Sequence, residues 1–528
     1  MHNKHIVLPA VCGAFIGLFA IFAGVCLVAQ PTADADVQDL HPAPQAQRKT
    51  RAVAYVSEPD HSHSSATPIG ENRPTPEPII SSTHVRRSAV EMTDIQEPVI
   101  ESRRGFHAEL ERLLSSTGIT ALPDLPKQSR AKIELGRNLF FDKILSGNKD
   151  IACATCHHPA FQSGDEISLP IGTRGVFLGA HRQVGYGRDF IPRNSPEIFN
   201  RGFDEWRTMF WDSRVSKNEW GKLITPAGTK LPRELDNVLA AQAMFPPTSR
   251  DEMRGRMGEI DTQGAPNEVA LLSDSDFRGI WRMLIRRIRE IPAYVRLFEQ
   301  AYPNRSVRKL GFEHAANAIA AFEADTFTLV NSPWDRYLRG EKDAMSDDAL
   351  KGAVLFHGKA NCVSCHSGNL FTDQEHHNIG VPQIGPGKKK GIDLGRAEET
   401  GLQRDLFTFR TPPLRNTAVT GPWMHNGAFN NLEDAVRHHL DPVRSALNYS
   451  PRNLRPDLRK RIQDAPAVQV AILKNLDPRL RSIRSLNDTE IEQVLAFLKA
   501  LTDPAVWDLA DVAPYTVPSG LKVDRPES

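Results

Sequence analysis

Two short runs constrain this chain more than anything else in it: Cys153-Ala-Thr-Cys156-His157 and Cys362-Val-Ser-Cys365-His366. Each puts two thiols one helical turn apart with an imidazole directly after them. That is the spacing for covalent attachment of a c-type haem, with the thiols as thioethers and the histidine as proximal iron ligand. A redox dithiol and half of a zinc site are the competing readings. Zinc would require the two pairs to converge, yet each carries its own adjacent histidine. The other two of the six cysteines, Cys12 and Cys26, lie within the first thirty residues, so the folded part has no further thiol for disulfides.

Residues 6–29 contain no charged side chain, Lys4 precedes them, and the next Lys or Arg is Arg48. Such a run can cross the roughly 30 Å core of a bilayer as a helix and exceeds the core of a typical signal peptide. Residues 1–29 are therefore expected to be a signal or membrane anchor, with the N-terminus cytoplasmic and the rest periplasmic. From Gln30 to Ile100 there are nine prolines and one aromatic residue, Tyr55. That composition cannot bury enough apolar area to offset its ordering entropy, so a disordered Pro-rich linker is expected over 30–104. The 65 Lys+Arg nearly balance 64 Asp+Glu, leaving a net charge of +1 and no excess with which to neutralise nucleic-acid phosphates.

The remainder reads as a repeated module. Gly136-Arg-Asn-Leu-Phe140 precedes the first motif as Gly352-Ala-Val-Leu-Phe356 precedes the second. Arg193-Asn-Ser-Pro196 and Phe210-Trp-Asp212 follow the first, and Arg410-Thr-Pro-Pro413 and Pro422-Trp-Met-His425 follow the second. Each copy continues into a helical segment, 235–239 and 432–436, and aligning these sets Gln242 opposite His439. Apolar residues at i, i+3 and i+4 predict helices over 281–302, 312–327 and 491–501, the last opened by a capping box at Thr489-Glu-Ile-Glu492. The expected fold is mainly α: two tandem cytochrome c-like haem domains, 105–340 and 341–528.

With those residues in view, the chain resembles the di-haem cytochrome c peroxidase and MauG family across 105–503. The likeness rests on both C-x-x-C-H motifs, Arg193-Asn194-Ser-Pro196, Phe210-Trp211-Asp212, Gln242 with Glu252 ten residues on, and Thr420-Gly-Pro422-Trp-Met-His425. It implies two covalently bound haem c groups, with peroxide reacting at the N-terminal haem and electrons entering at the C-terminal one. By position, Glu252 matches the acid–base residue and Gln242 the amide beside it. Breaking an O–O bond needs a group that takes a proton from one oxygen and returns it to the other. Without the resemblance, Glu252 would read as a surface charge. Trp211 matches a tryptophan between the haems, against a reading as core packing. Asn194, Thr420 and Pro422 match an all-oxygen Ca2+ site, Asn194 otherwise being a turn residue.

The sequence departs from the family at the sixth ligands. Fourteen residues after His425, where the family has Met or Tyr, stands His439, which predicts His366/His439 ligation at the C-terminal haem; His438 and Met424 are the alternatives. Histidine in place of methionine lowers the reduction potential, since Met ligation raises it. At the N-terminal haem the candidates for a removable ligand are His158 and, in a longer loop, His181. If neither ligates, no reductive priming is needed. The resemblance implies reduction of hydrogen peroxide with electrons from a small redox protein, a cytochrome c or cupredoxin, by a homodimer. A MauG-like oxidase of a protein or organic substrate and a non-catalytic electron-transfer cytochrome are the alternatives.

Overall fold

A computed structural model of the chain describes residues 97–388 and 391–526. The apolar run 6–29 and residues 30–96 of the expected linker lie outside the described residues. Among the described residues no helix is long and apolar enough to cross a membrane. The last part of the expected 30–104 linker is instead helical, because a helix spans Glu97–Thr117.

The core is built from one helix crossing used twice. Helix Arg130–Phe141 crosses helix Phe312–Thr326, and helix Asp347–His357 crosses helix Asp488–Ala500. Both crossings turn on a glycine. A Cβ on Gly136 would lie 1.9 Å from the Ala318 carbonyl oxygen, and one on Gly352 would lie 1.8 Å from that of Gln493. Phe322 and Phe497 occupy the corresponding next position on the two partner helices, each with its Cβ 2.9 Å from that point. Around the first crossing Phe140, Phe141, Phe199, Phe322 and Phe327 are buried; around the second, Trp334, Phe356, Phe371 and Phe497.

The chain ends cross over between these cores. Leu110, Leu114 and Ile119, at and just beyond the 97–117 helix, bury in the second core, whereas Val506, Leu509, Ala513, Val517 and Val523 bury in the first. The 97–119 and 504–523 segments, which fall on opposite sides of the expected 340/341 boundary, thus each satisfy an apolar face in the other half's core. A third cluster, including Leu169, Ile171 and Phe190 with Val381, Ile384 and Phe429, sits between the loops that follow the two motifs.

Strand content is small: an antiparallel meander of Thr208–Met209, Val215–Lys217 and Leu223–Ile224, and a pairing of His376–His377 with Phe409–Arg410. The helix expected over 281–302 breaks at Pro292 into Phe277–Arg289 and Pro292–Ala301, since proline is tolerated only in a first turn. The expected capping box is displaced by two residues: Asn487 and Glu490 exchange side-chain and backbone hydrogen bonds at 2.9 Å each. Asparagine at the cap outcompetes the threonine inside the first turn.

Gly352→Ala is expected to destabilise the protein by about 1–3 kcal/mol, because the clash is with backbone and outweighs the ~1 kcal/mol helical advantage of alanine. Thermal unfolding followed by circular dichroism checks this; an unchanged midpoint would mean that the helices separate at no cost.

Candidate active site

Each C-x-x-C-H run lines its own cavity. The first is bounded by Cys153, Cys156, His157, Gln242, Glu252 and Trp211, and the second by Cys362, Cys365, His366, Met424 and His439. They are similar in size, with about 260 and 200 Å3 of internal space. The two thiol pairs line separate cavities, so they do not form one four-ligand zinc site. Burial pushes the Cys153 and Cys362 thiols up to about 12.

The two proximal histidines are held alike. His157 Nδ1 faces the Ser163 carbonyl at 3.2 Å and His366 Nδ1 the Phe371 carbonyl at 3.1 Å. A carbonyl only accepts, so each Nδ1 carries the proton and Nε2 holds the lone pair that an iron ligand requires; His366 Nε2 has no other partner among the described residues, and His157 Nε2 has only the Ser195 hydroxyl, at 3.5 Å. Burial lowers both imidazoles to about 4, keeping them neutral.

Gln242 comes from helix Val238–Ala243, which Asn237 caps by accepting from Ala240 N at 2.9 Å. Its counterpart is helix Leu432–Leu440, capped by Asn431, which carries His439. Glu252 sits on the turn Arg250–Arg254, and burial raises its carboxyl above the ordinary range, with Arg214 and Ser249 pulling it back. Trp211 lines both cavities and donates from Nε1 to the Asn194 carbonyl at 2.9 Å. It is buried in the wall that separates them.

The sixth-ligand candidates resolve by their hydrogen bonds. His438 is buried with both ring nitrogens engaged, Nδ1 with Ser445 Oγ at 2.9 Å and Nε2 with the Ile379 carbonyl at 2.8 Å. His439 donates from Nδ1 to the Ala435 carbonyl at 2.8 Å, leaving Nε2 free, and its ring centroid lies 6.2 Å from that of His366. Two metal–imidazole bonds of about 2 Å plus the ring radii fill that span. Met424 lines the same cavity. At the first cavity, His181 is exposed on the turn Gly179–His181 and is not part of the wall. His158 points away, with Nε2 on the Asp524 carbonyl at 3.3 Å and Nδ1 accepting from Ala160 N. Asn194, Thr420 and Pro422 all line the second cavity, and the Asn194 amide donates to the Ile167 and Ser168 carbonyls at 3.2 Å, leaving its own oxygen outward.

A family profile described as di-haem cytochrome c peroxidase matches residues 130–343. The methylamine utilization protein MauG of Methylorubrum extorquens is 31% identical over 312 residues, which cover 58% of this chain and 68% of that protein. The chain belongs to the di-haem cytochrome c peroxidase family. The cytochrome c551 peroxidase of Pseudomonas aeruginosa is 29% identical over 309 residues, 58% of this chain and 71% of that one. The diheme peroxidase BthA of Burkholderia thailandensis shares the fold with a TM-score of 0.50 at 23% identity, over 76% of this chain and 92% of that one. This di-haem peroxidase is thus an oxidoreductase of the cytochrome c peroxidase type, with haem c as cofactor.

Several residues of its first cavity escape the sequence reading. Glu197, Glu323, Arg201, Arg214, Arg410 and Lys388 all line it. Burial lifts the Glu197 carboxyl to about 7 and that of Glu323 to about 8, against the pull of Arg201 on both. Glu323 had a signal, as a lone acid in the apolar run Ala320-Ala-Phe-Glu-Ala324 on a buried helix. Arg193 was visible only as part of a motif. In the structure it bonds Asp212 at 2.5 Å and Asp393 at 2.6 and 2.8 Å, all buried.

Replacing His439 with Ala is expected to convert the C-terminal haem from a low-spin to a high-spin or water-ligated absorption spectrum, with both haems still attached. A retained low-spin spectrum would transfer the ligand role to Met424.

Proposed function

We propose that this protein reduces hydrogen peroxide to water in the periplasm, drawing electrons from a small redox protein such as a cytochrome c or cupredoxin. The observation that carries the reading is that Glu252, Gln242 and His157 line one cavity, that of the first motif, with Trp211 shared between that cavity and the second. Two complete thiol–thiol–histidine sets fit two haem c groups, held by Cys153, Cys156 and His157 and by Cys362, Cys365, His366 and His439. Bound there, each haem supplies an iron that accepts and gives single electrons.

The chain's own part is proton movement and exclusion. Glu252 takes the proton from the peroxide oxygen nearer the metal side and returns it to the departing oxygen, which leaves as water. Its raised carboxyl, set by burial, suits both halves of that task. Gln242 orients the peroxide by hydrogen bonding, and Trp211 places an aromatic ring where electrons must cross from one half to the other. With His181 exposed and His158 engaged elsewhere, the first cavity offers His157 as its one lining histidine among the described residues, so the enzyme works without reductive priming. Asn194 Oδ1 with the carbonyls of Thr420 and Pro422 forms an oxygen set suited to one Ca2+ between the halves. The working units are an N-terminal peroxidatic part and a C-terminal electron-entry part, behind an N-terminal membrane tether.

Glu252→Gln is expected to lower peroxide turnover by about 100-fold or more with both haems attached. Loss of turnover alone in the variant supports the peroxidase; absence of turnover in wild type, before and after partial reduction, overturns it in favour of a non-catalytic cytochrome. Because the base form of Glu252 begins the reaction and its carboxyl is raised, wild-type rates are expected to fall as pH drops through a value above the ordinary glutamate range. That acid limb disappears in Glu252→Gln. Fully oxidised enzyme is expected to turn over from the first mixing, without a lag.

A further inference from the structure

The second cavity has one wall that is also protein surface. Residues 478–486 run past the haem-attachment turn, with Leu480, Ile483 and Leu486 facing into the cavity at every third position. Arg479, Arg481 and Arg484 fall between them and are exposed. The segment is fastened to the attachment turn itself: Arg479 donates to the Ser364 carbonyl at 3.2 Å, and Asn361 donates to Ser482 Oγ at 2.9 Å. The strip therefore forms the protein surface beside the half-exposed Cys362–Cys365 turn.

Its charge is only partly compensated. Arg479 pairs with Asp373 at 2.8 Å, but among the described residues Arg481 and Arg484 have no side-chain hydrogen-bond or ion-pair partner. The carboxylates nearby are already taken: Asp477 by His377, Glu490 by Lys359 and Asp488 by Arg437. The chain as a whole has a net charge of +1, so whatever steering a partner feels is local.

Resting on the peroxidase reading, we propose that the 479–484 strip is the docking face for the electron donor, and that the donor is a small redox protein with an acidic patch around its own cofactor edge. Two donor molecules each lose one electron per peroxide; the O–O bond breaks, two protons are taken up, and two waters leave. Paired complementary charges of this kind raise the rate of encounter more than the final affinity, which suits a partner that must leave after one electron.

The test compares wild-type holoprotein with the double variant Arg481→Glu/Arg484→Glu. Stopped-flow reduction of the oxidised protein by a reduced acidic cupredoxin is expected to slow with added salt in wild type and to fall about tenfold or more in the variant. A reduced lysine-rich cytochrome c is expected to show the opposite change, and peroxide turnover with a small uncharged dye reductant to be equal in both. An unchanged rate with the acidic donor, or equally fast reduction of wild type by the lysine-rich one, overturns the proposal. If wild type turns over no peroxide with any reductant while charge reversal still slows its reduction by the acidic donor, the docking face stands and the peroxidase reading fails.

Discussion

The structure depends on one buried guanidinium. Arg193, in the N-terminal half, is gripped on one side by Asp212 and on the other by Asp393 from the C-terminal half, and all three are almost inaccessible to water. Burial alone would raise the Asp212 carboxyl, but Arg214, Arg193 and Lys388 outweigh it and hold it well below the usual range. Removing three charges from water is costly, and a cluster of this kind adds little net stability over an apolar packing. What it adds is register. Asp212 follows Trp211 and Arg193 precedes Asn194, so fixing these charges fixes the wall that both cavities share. The same carboxylate draws Lys388 across from the C-terminal half to line the first cavity at 2.8 Å from Asp212.

On either side of that wall the chain uses one design twice and then breaks the symmetry at a single position. The glycine at the helix crossing, the backbone carbonyl that orients the proximal imidazole, and the asparagine that caps the next helix recur in both halves. The helix capped by Asn237 presents Gln242, and the one capped by Asn431 presents His439. An amide is not an iron ligand and an imidazole is, so under the proposed function this one exchange would leave the first iron open to substrate and close the second, with no change in the surrounding fold.

What could be read from the sequence was local, and what could not was long-range. The attachment motifs, the Gly-containing runs and the helical periodicities are set by spacings of a few residues, and they reappear close to where the spacing put them, apart from the break at Pro292 and the two-residue shift of the last cap. Arg193 and Asp393 lie 200 residues apart, and no local pattern marks them as partners. The exchange of chain ends is of the same kind: the 97–117 helix and the 504–523 tail each have an apolar face, and a face does not say which core it covers. His438 and His439 are equivalent in sequence, and only the Ile379 carbonyl and Ser445 hydroxyl, brought in by folding, decide between them.

The two cavities also differ in what they can do with protons. Glu197, Glu252 and Glu323 line the first, and burial raises all three carboxyls, two of them to about 7 and 8. Each lies within the field of an arginine, Arg201 for Glu197 and Glu323 and Arg214 for Glu252, so ionisation is opposed by low polarity and favoured by the cation at once. Glu197 and Glu323, balanced in this way, change protonation near neutral pH at little cost. The second cavity shares Glu197 and Arg410 with the first at the common wall, and His377, raised against its burial to about 10 by its bonds to Asp373 and Asp477, adds a cation to a lining that is otherwise largely apolar and neutral. Reduction of a peroxide consumes two protons, and moving an electron consumes none. The raised carboxyls are gathered around the first cavity, and of the three only Glu197 also reaches the second.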